Sequence, residues 1–264
     1  MTNENSRLRG TAGRLDGKYA VISGAAGGIG AAACRLFCAE GAEVVGADLN
    51  SDDGAALEAQ LTAEGFDFRF CVLDLTSETD IARFAAEVTR ERTVDILYNN
   101  AGAILGRHLL ESTVEDWDRM HDVNSKSVFL MMREFAPKMT NPGGSIVNTS
   151  SAGGAFAIPN MSLYGAAKAG TIMLSRVAAV DLAPGIRVNA VVPGLVNTAM
   201  PHSFVEGLPD EHKRSVLEGM AAQHLLQRMA EPVEIAAAAL FLASDEASFI
   251  TASAMYVDGG ATAV

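Results

Sequence analysis

Cysteine is scarce in this sequence: Cys34, Cys38 and Cys71 are the only three. Cys34 and Cys38 fall at i, i+4 in an apolar helical pattern, with no His or second Cys pair at zinc-binding spacing. They are expected as small core-facing side chains, and no metal site is expected. Unpaired thiols agree with a cytoplasmic setting. Long apolar runs are also missing; the longest, Ile235 to Ala243, is too short to cross a bilayer and reads as a buried helix. Residues 1–13 are polar and lack the apolar stretch of a signal peptide, so they are expected as a flexible tail before a domain spanning 14–264. Clusters of basic residues are absent too. Against 20 Lys and Arg stand 32 Asp and Glu, a net charge of −12 at pH 7. Such a field repels phosphate backbones and anionic headgroups, which excludes nucleic acid and membrane surfaces and leaves a small molecule as the expected partner.

What is present is a packed α/β composition, 49 % hydrophobic over 264 residues, with no Pro/Gly/Ser-rich linker to divide it. Short β-rich runs alternate with helical ones. Strands are predicted at Lys18–Ser23, Glu43–Asp48, Phe68–Leu73, Asp95–Tyr98, Ser145–Thr149, Arg187–Val192 and Ala254–Val257. Helices are predicted at Gly28–Glu40, Ser51–Glu64, Glu78 to about 91, Thr113–Met139, Ser162–Leu182 and about Pro232–Ala243. Strict alternation predicts parallel strands joined by crossovers. The strands are nearly continuous apolar runs, as when helices cover both faces of a sheet. The expected fold is a single-domain, doubly wound Rossmann fold with a seven-stranded parallel sheet. A (β/α)8 barrel fits less well, because it needs an eighth strand.

After the first strand comes Ser23-Gly24-Ala25-Ala26-Gly27-Gly28-Ile29-Gly30, and then a helix. Glycines 24, 28 and 30 let the backbone turn sharply and approach a pyrophosphate, while the helix N-terminus offers free N–H groups. The position of the string between strand and helix makes it a dinucleotide-binding signal rather than a loose loop. Asp48 closes the second strand, where a carboxylate accepts both ribose hydroxyls of an adenosine. It would meet a 2′-phosphate as a like charge, costing on the order of 4 kcal/mol at 4 Å and an effective dielectric of 20. No Lys or Arg follows in Leu49-Asn50-Ser51, so NAD is the expected cofactor.

Farther on, Tyr164 and Lys168 stand four residues apart on a predicted helix and so share a face. An ordinary phenol is a poor base at pH 7, but a neighbouring cation stabilises the phenolate. Ser151, at a strand end, could orient a substrate hydroxyl or carbonyl.

With these residues in hand, the chain resembles the short-chain dehydrogenases/reductases of the simple, roughly 250-residue NAD-dependent type, over about 16 to 260. The motifs that carry the resemblance are Gly24-x-x-x-Gly28-Ile29-Gly30, Asn99-Asn100-Ala101-Gly102, Asn124, Ser150-Ser151, Tyr164-x-x-x-Lys168, and Pro193-Gly194 with Thr198. The resemblance implies Tyr164 as general acid/base, Ser151 on the reacting oxygen, and Lys168 on the nicotinamide ribose while lowering the pKa of Tyr164. It implies Asn124 in a distorted helical turn, anchoring a water in a proton path. Asp74 and Leu75 would line the adenine, and Leu49 would stand beside Asp48. Asn100, Ala101 and Gly102 would form the floor under the adenosine-ribose side, and Pro193, Gly194, Val196 and Thr198 would contact the nicotinamide. The resemblance also implies a homotetramer built on the helices at Thr113–Met139 and Ser162–Leu182. Two positions depart from the family pattern: Tyr98, where a small β-branched residue is usual, and Ala252, where Gly is frequent.

The same resemblance puts the substrate pocket after Ser151, after Gly102 and after Thr198. Gly153 leaves room there, while Phe156, Ile158, Met161, Leu195, Met200 and Phe204 make apolar walls. An apolar or cyclic secondary alcohol, or its ketone, is the expected substrate. Arg107, His108 and His202 are candidates for a polar group at the mouth. Residues 200–229 are expected to form a substrate lid. A 3-oxoacyl-thioester reductase is the alternative enzyme, and a non-catalytic dinucleotide-binding regulator the alternative of another class.

Overall fold

A computed structural model describes residues 13–263; the expected tail, apart from Gly13, lies outside the described residues. The strands are β1 (Tyr19–Ser23), β2 (Glu43–Asp48), β3 (Phe68–Val72), β4 (Ile96–Asn99), β5 (Gly144–Thr149), β6 (Ile186–Pro193) and β7 (Ala254–Val257). They form one seven-stranded sheet in the order β3-β2-β1-β4-β5-β6-β7, parallel at every pairing. Strand order reverses between β1 and β4, and in such sheets ligands bind in the crevice at the strands' carboxyl ends.

Alternation along β1 shows why the sheet needs cover on both faces. Ala20 and Ile22 point into one core, with Val44, Ile96 and Val147 from the neighbouring strands. Helices α1 (Gly28–Ala39) and α9 (Pro232–Ala243) close that side with Phe37, Ile235 and Leu240. Tyr19 and Val21 point into the other core, closed by Phe84 of α3 (Glu78–Val88) and Phe135 of α5 (Ser127–Phe135). Ile235 and Leu240 are fully buried, each contributing roughly 2 kcal/mol by its removal from water. Cys34 and Cys38 lie in the first core as unpaired thiols. The remaining helices are α2 (Ser51–Ala63), α4 (Val114–His121), α6 (Ser162–Asp181), α7 (Ala199–Ser203) and α8 (Asp210–Ala221). Among the described residues no helix is long and apolar enough to cross a membrane.

The long helix expected over Thr113–Met139 is found as a helical run from Val114 to Phe135, with a distorted turn at Asn124. Thr113 and Asp116 form a capping box that starts α4, but the helix widens into a π turn at Asp122–Lys126 before α5 begins. A 3-10 turn containing Pro137 then follows α5. The π turn has tertiary causes. The buried Asn124 amide donates to the carbonyl of Ala103 at 2.9 Å as well as to that of Met120 at 2.9 Å. Ser125 and Ser127 hydroxyls donate back to the carbonyls of His121 and Val123. None of this alters the apolar periodicity, which runs on through the distortion.

Candidate active site

At the end of β1 the chain must double back within a few residues, and the glycines there are required by geometry. Gly24 has φ +68°, and a Cβ on it would sit 2.7 Å from the Ala101 Cα. A Cβ on Gly28 would sit 2.7 Å from the Thr198 Cγ2, filling the floor of a cavity. Gly30, expected both to ease the turn and to approach a pyrophosphate, does not line the cavity. Its Cβ would lie 1.9 Å from the Gly24 carbonyl oxygen, so it lets the turn fold onto its own helix. No side chain caps α1, which leaves its first N–H groups free for an anion.

Asp48 closes β2 beside this turn. Its carboxylate accepts from the Ala26 N–H at 3.1 Å and from the Asn50 N–H at 3.1 Å. It does not cap α2; Asn50 does, accepting from the Asp53 N–H at 3.2 Å. Asp48 is therefore held between the turn and the start of α2 without itself capping that helix.

From Asp48 a cavity of about 630 Å³ runs across the carboxyl ends of the strands to α7 and α8. Gly24, Gly28 and Ile29 line it from the turn, Leu49, Asp74 and Leu75 from the ends of β2 and β3, and Asn100, Ala101 and Gly102 from the end of β4. Pro193, Gly194, Val196 and Thr198 line it beyond β6. The long groove, the uncapped helix and the missing Cβ atoms fit a dinucleotide.

Ser151, Tyr164 and Lys168 meet at the middle of this groove. Ser151 follows β5, and its Oγ accepts from the Gly153 N–H at 3.1 Å. A Cβ built on Gly153 would be 3.6 Å from both the Ser151 Oγ and the Tyr164 ring, so serine and phenol flank one small space. Lys168, one turn along α6, is buried, 6.0 Å from the Tyr164 ring centre, and donates to the Thr149 carbonyl at 3.0 Å. Burial lowers the Lys168 ammonium from 10.5 to about 8. Burial also pushes the Tyr164 phenol up, and the Ser151 hydroxyl pulls it partly back. Asn124 lies behind the groove rather than in it; its Oδ1 accepts from the Ala103 N–H at 3.2 Å, clamping the loop that follows Gly102.

Ser151 and Tyr164 also border the groove's other half. Gly153, Ile158, Met161, Leu195, Met200 and Phe204 line it there, together with Phe156. Phe204, from the chain just past α7, reaches the opposite loop: a Cβ on Gly106 would be only 3.1 Å from its ring. Arg107, His108 and His202 are not part of the lining. Arg107 is paired with Asp116, the His108 ring accepts from the Leu110 N–H, and His202 is bound to the Asn197 amide oxygen at 3.1 Å. Each is used by its own loop.

Two positions gain a meaning that the sequence did not supply. Tyr98 is fully buried and stacks on Phe37 with ring centres 6.2 Å apart. Its hydroxyl accepts from Thr149 at 3.0 Å and donates to the Asn100 Oδ1 at 3.3 Å, while Asn100 donates to the Gly24 carbonyl at 3.3 Å. This buried relay ties the Asn-Asn-Ala-Gly turn to the glycine turn. The other is His224, just past α8, whose Nε2 accepts from the Leu195 N–H at 3.0 Å and pins the end of α8 to the Pro193–Val196 loop. No local pattern marks it.

Comparison with known proteins agrees with this geometry. Residues 24–262 match the family model described as enoyl-(acyl carrier protein) reductase. The chain is 40 % identical to a trans-4-hydroxycyclohexanecarboxylate dehydrogenase of Sinomonas cyclohexanicum, covering 95 % of each chain. It is 36 % identical to a cyclopentanol dehydrogenase of Comamonas testosteroni, covering 95 % of this chain and 99 % of the relative. A solved short-chain dehydrogenase/reductase structure from Burkholderia xenovorans superimposes with a TM-score of 0.90 at 35 % identity, covering 96 % and 99 %. The chain belongs to the short-chain dehydrogenase/reductase family and is a nicotinamide-dependent oxidoreductase.

Proposed function

We propose that this chain interconverts an apolar or cyclic secondary alcohol and its ketone, with NAD as cofactor and Tyr164 as the acid/base. The observation that carries the reading is the meeting of Ser151, Tyr164 and Lys168 between a dinucleotide-shaped groove and an apolar pocket. NAD held in that groove would supply the hydride acceptor for the carbinol carbon. Tyr164 takes the hydroxyl proton on its phenolate oxygen, and Ser151 holds the reacting oxygen by a hydrogen bond. Burial opposes the phenolate, so Lys168 must supply positive charge from one turn away, joined by the charge of the oxidised nicotinamide. Gly24, Gly28, Ile29, Leu49, Asp74, Leu75, Asn100, Ala101 and Gly102 hold the adenosine half. Pro193, Gly194, Val196 and Thr198 hold the nicotinamide half.

Asp48 sets the choice of NAD over NADP, because Lys168 is the only cation among the described residues that line the groove. Asn124 acts through Ala103, fixing the floor beside Lys168. Residues 200–229, carrying α8 and Phe204, serve as the lid of a single domain spanning 14–264. Assembly as a homotetramer is supported by exposed Trp117, Phe129, Met173 and Val177 on α4, α5 and α6, and sedimentation would measure it. The cytoplasm remains the expected location of a chain with three unpaired thiols. The decisive experiment pairs a screen of secondary alcohols with Tyr164→Phe. Turnover should fall by roughly 10³-fold or more while NAD affinity changes little. A Tyr164→Phe enzyme that keeps its turnover would refute the role, and activity on acyl thioesters alone would refute the substrate class.

A further inference from the structure

We propose that the pocket selects uncharged alcohols and ketones over anionic ones, and that Gln223 marks where a cation would be needed to reverse the choice. The proposal rests on the alcohol–ketone reading above.

Among the described residues, the charged side chains lining the groove are Asp48, Asp74 and Lys168. Both carboxylates lie on the dinucleotide side, at the ends of β2 and β3. Lys168 is committed to the Thr149 carbonyl at 3.0 Å. Beyond Ser151 and Tyr164 the walls are carbon and thioether: Ile104, Phe156, Ile158, Met161, Met200 and Phe204. Only Gln223 and His224 interrupt them on the α8 side. Both ring nitrogens of His224 are engaged within the fold. The Leu195 N–H points at its Nε2 at 3.0 Å, so that nitrogen carries a lone pair, and the Nδ1–H donates to the Met220 carbonyl at 3.2 Å. Gln223 is uncharged, and its side-chain amide forms no hydrogen bond among the described residues. Arg107, His108 and His202, the other cationic candidates, stand outside the lining.

A carboxylate entering this half of the groove leaves water, finds no partner charge, and does so in a protein of net charge −12. An ester of the same shape suffers none of this. The difference is expected to be on the order of 100-fold in affinity.

The test is a matched pair, 3-oxocyclohexanecarboxylate and its methyl ester, titrated into enzyme loaded with NADH at pH 7 and followed by calorimetry, then by NADH consumption. The ester should bind about 100-fold tighter than the acid, and Gln223→Arg should narrow that gap at least about 10-fold by tightening the acid. Equal affinities in the native enzyme, tighter binding of the acid, or failure of both to bind would overturn the proposal. Tight, selective binding of the ester without its reduction would leave the charge selection standing and refute the alcohol–ketone reading instead.

Discussion

Lys168 is buried at a cost, and that cost can be measured. Its ammonium is lowered from 10.5 to about 8 by desolvation. The difference is about 2.5 pH units, which at 1.36 kcal/mol per unit is roughly 3 kcal/mol of destabilisation at pH 7. Against it stands one hydrogen bond, from Nζ to the Thr149 carbonyl at 3.0 Å, contributing about 1 kcal/mol. Lys168→Met keeps the side chain's length and removes both effects. The cofactor-free variant should therefore be about 2 kcal/mol more stable than the parent at pH 7. In a domain of this size that is a rise in Tm of about 4 °C. The sign depends on pH. Below pH 8 lysine is charged in both the folded and unfolded chains, so the penalty is present in full. Between pH 8 and 10.5 the unfolded chain binds the extra proton, so native stability rises with pH and the variant's advantage shrinks. Above 10.5 only the lost hydrogen bond remains, and the variant should be about 1 kcal/mol less stable than the parent. Urea unfolding of both proteins at pH 7 and pH 10.5, at one protein concentration and without cofactor, measures the crossing. A variant less stable at pH 7, or a difference that does not move with pH, would refute the reasoning.

Other perturbations probe the remaining parts. Asp48→Ala should raise the ratio of NADP to NAD affinity by about 10- to 100-fold, a like-charge term discounted for the half-exposed carboxylate; an unchanged ratio in cofactor titrations would show that the residue does not discriminate. Ala252 adopts φ +57°, a left-handed geometry costing about 1 kcal/mol for a residue with a Cβ. Ala252→Gly should gain about 0.5 kcal/mol in urea unfolding, once the extra freedom of glycine in the unfolded chain is subtracted; a loss would mean that the Ala252 methyl contact outweighs the strain. His224→Leu orphans the Leu195 N–H and should speed amide exchange through α8 and raise the alcohol KM several-fold, with His224→Gln, which keeps an acceptor, restoring both. Identical behaviour of the two variants would reduce His224 to packing. In the native enzyme, exchange protection in α8 should rise on adding NAD and a ring alcohol, and constant protection would argue against a lid.

The parts of this protein that could be read from the sequence are those whose cause is local. A strand covered on both faces is largely apolar, so β1, Tyr19-Ala20-Val21-Ile22-Ser23, announces itself. The turn after β1 needs glycine because backbone and the Thr198 side chain crowd its Cβ positions, and Asp48 ends its strand within reach of that turn. What could not be read is caused by distant partners. Helical periodicity does not register the π turn, which arises from the grip of Asn124 on Ala103 and which only the family resemblance implied. Arg107 looks available in the sequence because its partner Asp116 belongs to the next helix's cap. Tyr98 looks like an anomaly until Thr149 and Phe37 arrive from other elements to pack and bond its ring.

The same distinction explains why cofactor recognition is easier to infer than substrate choice. The dinucleotide half of the groove is built from backbone shape and one carboxylate, which leave fixed marks in a short stretch of sequence. The substrate half is assembled from side chains after β5, after β4 and along the approach to α8, and its character is the sum of what they lack. Ile104, Phe156 and Met200 say little singly, since each could be ordinary packing. Brought together with no free cation among the described residues that line the pocket, they would impose a desolvation cost on any anion, and on the proposed reading that cost, rather than any one contact, is the term on which selectivity turns.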